Sequence, residues 1–118
     1  VAEDEIYNYQ LIEAFLKELN CNLINAKDGC EAVELCKKIT EIDIILMDIK
    51  MPNMDGITAF KEIRKFRTTL PIIAQTAYAL EPEKQQLLSV GFDDYISKPI
   101  DSRELIKKVL KFLPTNKD

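Results

Sequence analysis

Asp43-Ile44-Ile45-Leu46-Met47-Asp48 decides how this chain folds. Its four consecutive apolar residues, two of them β-branched, lack the polar alternation of a strand with one wet face. The run therefore reads as a strand covered on both sides, and its last residue is an aspartate at the strand's mouth. Pro71-Ile72-Ile73-Ala74-Gln75-Thr76 repeats the type, ending on a threonine. Shorter strands are expected at Asn22 to Ala26 and at Tyr95-Ile96-Ser97. Val1-Ala2 reads as the remnant of another, so the first strand is expected to be truncated and the chain to be cut from a longer polypeptide.

Between these runs the period changes from strand to helix. Leu11, Ile12, Phe15, Leu16 and Leu19 predict a helix over about residues 6–19. Asp28-Gly29-Cys30-Glu31 has the spacing of a capping box and opens a helix to about Ile39. After the turn-rich Met51-Pro52-Asn53-Met54-Asp55-Gly56, a helix is expected from about Ile57 to Phe66. Pro82 suits a first helical turn, and Gly91 a C-cap. Asp101-Ser102-Arg103-Glu104 is a second capping-box pattern, followed by Leu105, Ile106, Val109, Leu110 and Leu113 on one stripe. Strict strand–helix alternation with short links calls for an α/β fold. Five units match a flavodoxin-like, doubly wound parallel sheet of order 2-1-3-4-5, with about five helices on both faces. In that order ligands bind beyond the carboxyl ends of the strands, where the first and third are neighbours.

Composition narrows the chemistry. The 118 residues fit one domain, taken as residues 1–113, with a polar tail at 114–118 after the helical stripe ends. A formal charge of −4, from 16 basic and 20 acidic residues, disfavours a nucleic-acid surface. The absence of a long apolar run leads to the expectation of no direct membrane contact and a cytosolic setting. Cys21, Cys30 and Cys36 have no metal-binding spacing. Histidine is absent, which removes Ser-His-Asp and Cys-His sites, His-ligated metals and a phosphohistidine carried by this chain.

Glu3 and Asp4 follow the first strand, Asp48 ends the third, Thr76 ends the fourth and Lys98 follows the fifth. Singly, an acidic pair before a helix is commonly a cap, and a lone Lys or Thr is commonly solvated. Together the five converge on one rim of the sheet. Two carboxylates about 4 Å apart repel by roughly 4 kcal/mol at an effective dielectric near 20. Three would protonate or recruit a cation, and an all-oxygen set without His or thiolate selects a hard ion such as Mg²⁺. A cation there lets an anionic phosphoryl donor approach. Asp48 would then serve as nucleophile, with Lys98 neutralising one phosphoryl oxygen and the Thr76 hydroxyl bonding another.

These motifs resemble the receiver domains of two-component response regulators, over residues 1 to about 113. The resemblance is carried by Ala2-Glu3-Asp4-Glu5, the Met47–Gly56 stretch, Thr76-Ala77, Gly91-Phe92-Asp93-Asp94-Tyr95 and Ser97-Lys98-Pro99. It implies Mg²⁺ on Glu3, Asp4 and Asp48 with the Lys50 carbonyl as a further ligand. Glu3 stands where aspartate is commoner, and its extra methylene implies contact through water. It further implies phosphoryl transfer to Asp48 from a histidine kinase or histidine phosphotransfer domain. Self-catalysed phosphorylation and dephosphorylation would then replace turnover of an independent substrate. It also implies a cis bond between Lys98 and Pro99 that aims the lysine inward, and a surface switch coupling Thr76 to Tyr95. The Tyr95-Ile96-Ser97-Lys98-Pro99-Ile100 wording resembles receivers fused to hybrid histidine kinases; a stand-alone regulator is the alternative.

Other functions need other residues. A haloacid-dehalogenase-like phosphatase wants an acid two residues after its nucleophile, where this chain has Lys50. A flavodoxin-like cofactor module wants a phosphate loop where Glu3-Asp4-Glu5 would repel phosphate. A degenerate receiver used only for binding would lack the complete acid, Thr and Lys set. Lys50 and Tyr78 are expected to border the path of a hydrolytic water, making self-dephosphorylation slow.

Overall fold

The computed structural model describes residues 1–19, 21–77 and 80–113. The Asp43–Asp48 run contributes strand β1 (Ile45–Asp48), every residue of it buried. It pairs in parallel with β2 (Ile72–Thr76), and β2 with β3 (Asp94–Ser97), in the register Asp48–Gln75 and Thr76–Ser97. On the far side of β1, Ala2 forms parallel bridges to Met47 and to Ala26. Its N–H donates to the Leu46 carbonyl at 2.8 Å, and its carbonyl accepts from Asp48 N–H at 3.0 Å. The lateral sequence is thus Ala26, Ala2, β1, β2, β3, the expected 2-1-3-4-5 order.

The strand expected at Asn22 to Ala26 is reduced to that bridge at Ala26. The neighbouring segment bonds it at three points: Ala26 N–H donates to the Val1 carbonyl at 2.8 Å, Glu3 N–H to the Ala26 carbonyl at 2.9 Å, and the Val1 ammonium to the Ile24 carbonyl at 2.9 Å.

Among the described residues five α-helices flank the sheet: α1 (Ile6–Leu16), α2 (Gly29–Lys38), α3 (Gly56–Arg64), α4 (Glu81–Val90) and α5 (Ser102–Phe112). The first expected helix ends early, its last turn tightening to a 3₁₀ segment at Lys17–Leu19. Pleat alternation sends Ile45, Met47, Ile72 and Ala74 into a core with Ala32, Val33, Ala59, Phe60 and Ile63. Leu46, Ile73 and Ile96 enter a second core with Ile12, Leu16, Leu105 and Val109. Coverage of both faces is why the strands read as unbroken apolar runs.

Caps set the helix ends that border the site. Asp28 accepts from Glu31 N–H at 2.8 Å, while Glu31 reaches back to Lys27 N–H at 3.2 Å, one residue before the cap. Asp55 accepts from Thr58 N–H at 2.8 Å, so α3 begins at Gly56 rather than Ile57. At α5 only half of the expected box forms. Asp101 accepts from Arg103 N–H at 2.9 Å, but Glu104 turns along the helix to Lys108 at 3.4 Å.

Candidate functional site

β1 delivers Asp48 to the sheet's carboxyl edge, and the short Val1–Glu3 segment beside it delivers Glu3 and Asp4. One carboxylate oxygen from each of Glu3, Asp4 and Asp48 lies within 4.8 Å of the others. Glu3 and Asp48 are 1% and 3% exposed, while Asp4 is open to solvent. β3 brings in Lys98, whose Nζ donates to Asp48 Oδ2 at 2.6 Å and lies 3.6 Å from Glu3 Oε1. The Lys98–Pro99 bond is cis. Asp48 Oδ1 accepts from Lys50 N–H at 3.1 Å. Thr76 ends β2, 6% exposed, and its carbonyl accepts from Lys98 N–H at 2.8 Å. Glu3, Asp4, Asp48 and Lys98 are thus gathered at one edge, with the backbones of Lys50 and Thr76 bonded into it.

Charge explains the arrangement's protonation. Burial pushes the Glu3 carboxyl up to about 7; the Asn8 amide opposes the shift, and Asp48 adds to it. Burial alone would lower Lys98. The hydrogen bond and charge of Asp48, joined by the charges of Glu3 and Glu5, outweigh it and hold the ammonium above the ordinary lysine value. Three carboxylates facing one ammonium leave a negative site of hard oxygen donors, which fits Mg²⁺.

The loop after β1 is held by close backbone approach. A Cβ on Gly56 would stand 2.2 Å from the Asp48 carbonyl oxygen, and one on Gly29 would stand 2.2 Å from that of Met54. Gly29 N–H donates to this Met54 carbonyl at 3.1 Å, and the Asn53 amide, at φ 67°, donates to Asp28 Oδ2 at 2.7 Å. The loop is therefore tied both to the start of α2 and to the back of Asp48. Asp4, Lys50, Met51, Pro52 and Asp55 line an open groove of about 560 Å³ at its side.

The strand expected at Tyr95-Ile96-Ser97 begins one residue earlier: Tyr95 is the second residue of β3 and pairs with Ala74, whereas Thr76 pairs with Ser97. Its half-buried ring lies between two ammonium groups, Lys84 of α4 at 5.1 Å and Lys108 of α5 at 4.6 Å from the centroid. Tyr78 and residues 114–118 lie outside the described residues.

Sequence reading missed Asn8 and Gln75. Asn8 donates to Glu3 Oε1 and, at 3.3 Å, to Gln75 Oε1. A glutamine inside an otherwise apolar strand was the available signal.

Comparison with known proteins agrees with this geometry. The family model described as response regulator receiver domain matches residues 1–110. The chain is 36% identical over 115 residues to the sensor protein GacS of Pseudomonas syringae pv. syringae, covering 93% of this chain but 13% of that protein. It spans only about an eighth of the length of such relatives. Among solved structures it resembles the receiver domain of the Pseudomonas aeruginosa sensor histidine kinase PA1611, which has magnesium coordinated in the active-site cleft. That match has 35% identity and a TM-score of 0.85, over 94% of this chain and 92% of that one. It also resembles a chain in the complex of the Saccharomyces cerevisiae phosphotransfer protein Ypd1 with the receiver domain of Ssk1, with 30% identity and a TM-score of 0.86, over 94% and 84%. No described helix is long and apolar enough to cross a membrane. With its acids, lysine and threonine on one edge of a 2-1-3-4-5 sheet, this chain belongs to the family of response regulator receiver domains.

Proposed function

We propose that Asp48 is the phosphoacceptor of a two-component phosphorelay and takes its phosphoryl group from a phosphohistidine on a partner. The observation that carries this reading is the buried Asp48 carboxylate at the strand mouth, flanked by Glu3, Asp4 and the Lys98 ammonium. A carboxylate oxygen of Asp48 attacks phosphorus, the phosphorus–nitrogen bond breaks, and the imidazole departs with the electron pair and is protonated. Lys98 stays beside the nucleophile and receives one phosphoryl oxygen, and the Thr76 hydroxyl bonds another. Glu3, Asp4 and Asp48, with the Lys50 carbonyl, would hold Mg²⁺, which when bound neutralises charge on the phosphoryl oxygens. The residues themselves chiefly position and screen, as phosphoryl transfer requires.

The donor is a histidine kinase or histidine phosphotransfer domain. The likeness to GacS and to the PA1611 and Ssk1 receivers supports that class of partner. The likeness to receivers of sensor kinases favours placement in a hybrid kinase over a stand-alone regulator. Phosphorylation then draws Thr76 toward the phosphoryl group and lets the Tyr95 ring move, changing the surface of α4, β3 and α5. The reading is tested by incubating the chain with a ³²P-labelled histidine phosphotransfer protein. Label should pass to the chain in Mg²⁺ and stay on the donor in EDTA. Label that never leaves the donor across a panel of such proteins contradicts it.

A further inference from the structure

Gln75 is fully buried in β2, on the sheet face where its neighbours Leu46, Ile73 and Ile96 are apolar. The register sets it beside Asp48 on one side and Ile96 on the other. An apolar side chain would be the less costly choice, because a buried polar atom left without a partner forfeits its hydration with nothing in return. Gln75 incurs that cost: its Nε2 has no hydrogen-bond partner among the described residues.

The hydrogen-bond chain shows why its amide is oriented this way. Asn8 turns its amide nitrogen toward Glu3 Oε1, the orientation that suits an ionised, cation-binding carboxylate, which only accepts. The same nitrogen gives its second hydrogen to position 75 at 3.3 Å, where only an oxygen can receive it. Gln75 therefore presents Oε1 to Asn8 and directs Nε2 away. Asn8 stands in the first turn of α1, and Gln75 is anchored in the central strand. The strand thus fixes the rotamer of a helical side chain, which in turn fixes a buried carboxylate. The other backbone contact on that carboxylate is Glu5 N–H to Oε2 at 3.1 Å.

We propose that Gln75 is a positioning residue: acting through Asn8, it holds the Glu3 carboxylate in the orientation that a divalent cation at the Glu3–Asp4–Asp48 cluster requires. The inference rests on the metal-site reading above. It goes beyond that reading in assigning cation affinity to a residue that touches neither the cation nor the phosphoryl group.

The test is Mg²⁺ titration of the 118-residue chain, followed by the amide resonances of Glu3, Asp4 and Asp48, with urea unfolding in EDTA run beside it. Gln75→Met keeps the volume and removes the acceptor; Gln75→Leu removes the polar group with a branched side chain. Both should weaken Mg²⁺ binding about fivefold to tenfold while unfolding stability holds or rises, since the unpartnered Nε2 is gone. Asn8→Ala should weaken binding at least as much. Adding Gln75→Met to Asn8→Ala should cost nothing further, because the two residues act in series. A folded Gln75→Met variant with wild-type Mg²⁺ affinity overturns the proposal, as do losses that add in the double variant. A stability loss with unchanged affinity identifies a purely structural glutamine and overturns it too. Failure of the wild-type chain to bind Mg²⁺ at all would instead refute the metal-site reading on which the proposal rests.

Discussion

The Asp48 carboxylate and the Lys98 ammonium meet at 2.6 Å, the one at the last residue of β1, the other just past the end of β3. They are fifty residues apart in sequence, and β2 lies between their strands. The lysine therefore bridges the edge of the sheet and lies 3.6 and 2.6 Å from two buried carboxylates.

Replacing Lys98 by Met should accordingly destabilise the cation-free chain. The Lys98 side chain is 22% exposed, so the loss should fall at or below the lower end of that for a fully buried pair, roughly 2–3 kcal/mol at neutral pH. Urea unfolding in EDTA measures it. Saturating Mg²⁺ should restore part of the loss by binding the folded state. Unchanged stability would mean that solvent already screens both carboxylates.

Glu3 makes the cation-free chain sensitive to pH. Its folded pKa is raised to about 7 from an ordinary value of 4.5, so the folded state holds the proton more tightly than the unfolded state. The resulting stabilisation is complete below about pH 4.5 and is lost as pH rises through 7. Lys98, held above its ordinary value, shifts stability only at alkaline pH. Between about pH 5 and 6, below the range where the buried Val1 ammonium, lowered to about 6, acts in the opposite sense, stability in EDTA should fall by up to about 1.4 kcal/mol per pH unit. Glu3→Gln should flatten that slope. A parallel slope in the variant would assign the titration elsewhere.

The Tyr95 ring between Lys84 and Lys108 connects α4, β3 and α5 into one responsive surface. Lys108 also pairs with Asp94 at 3.3 Å and donates to the Tyr95 carbonyl. Beryllofluoride with Mg²⁺ should therefore shift amide resonances beyond the acidic cluster, through all three elements. Shifts confined to residues around Glu3, Asp48 and Lys98 would show that Tyr95 is a fixed aromatic.

Lys50 is exposed, two residues beyond Asp48, and lines the groove with Asp4. If its side chain obstructs an in-line water, Lys50→Asn should speed phosphate loss from the phosphorylated chain about tenfold, or roughly 1.4 kcal/mol of barrier. Decay at the wild-type rate would remove Lys50 from that role.

The sheet order and the main site residues were legible in sequence for one physical reason. A strand buried on both faces concentrates its polar residues toward its carboxyl end, so Asp48 and Thr76 announce themselves after apolar runs. Glu3 and Asp4 were legible because paired acids directly after a strand are electrostatically costly without a cation. What stayed hidden depends on distance across the sheet. Asn8 and Gln75 are 67 residues apart, and only the folded sheet shows that their amides meet. Tyr95 lies two residues before Ser97, the partner of Thr76, an offset that strand composition alone does not fix.

The central claim is that Asp48 carries the phosphoryl group, and intact-mass spectrometry after treatment with acetyl phosphate tests it most directly. The wild-type chain should gain one phosphoryl group in Mg²⁺ and none in EDTA, and Asp48→Asn should gain none in either. Equal labelling of the wild-type chain and the Asp48→Asn variant would contradict the account.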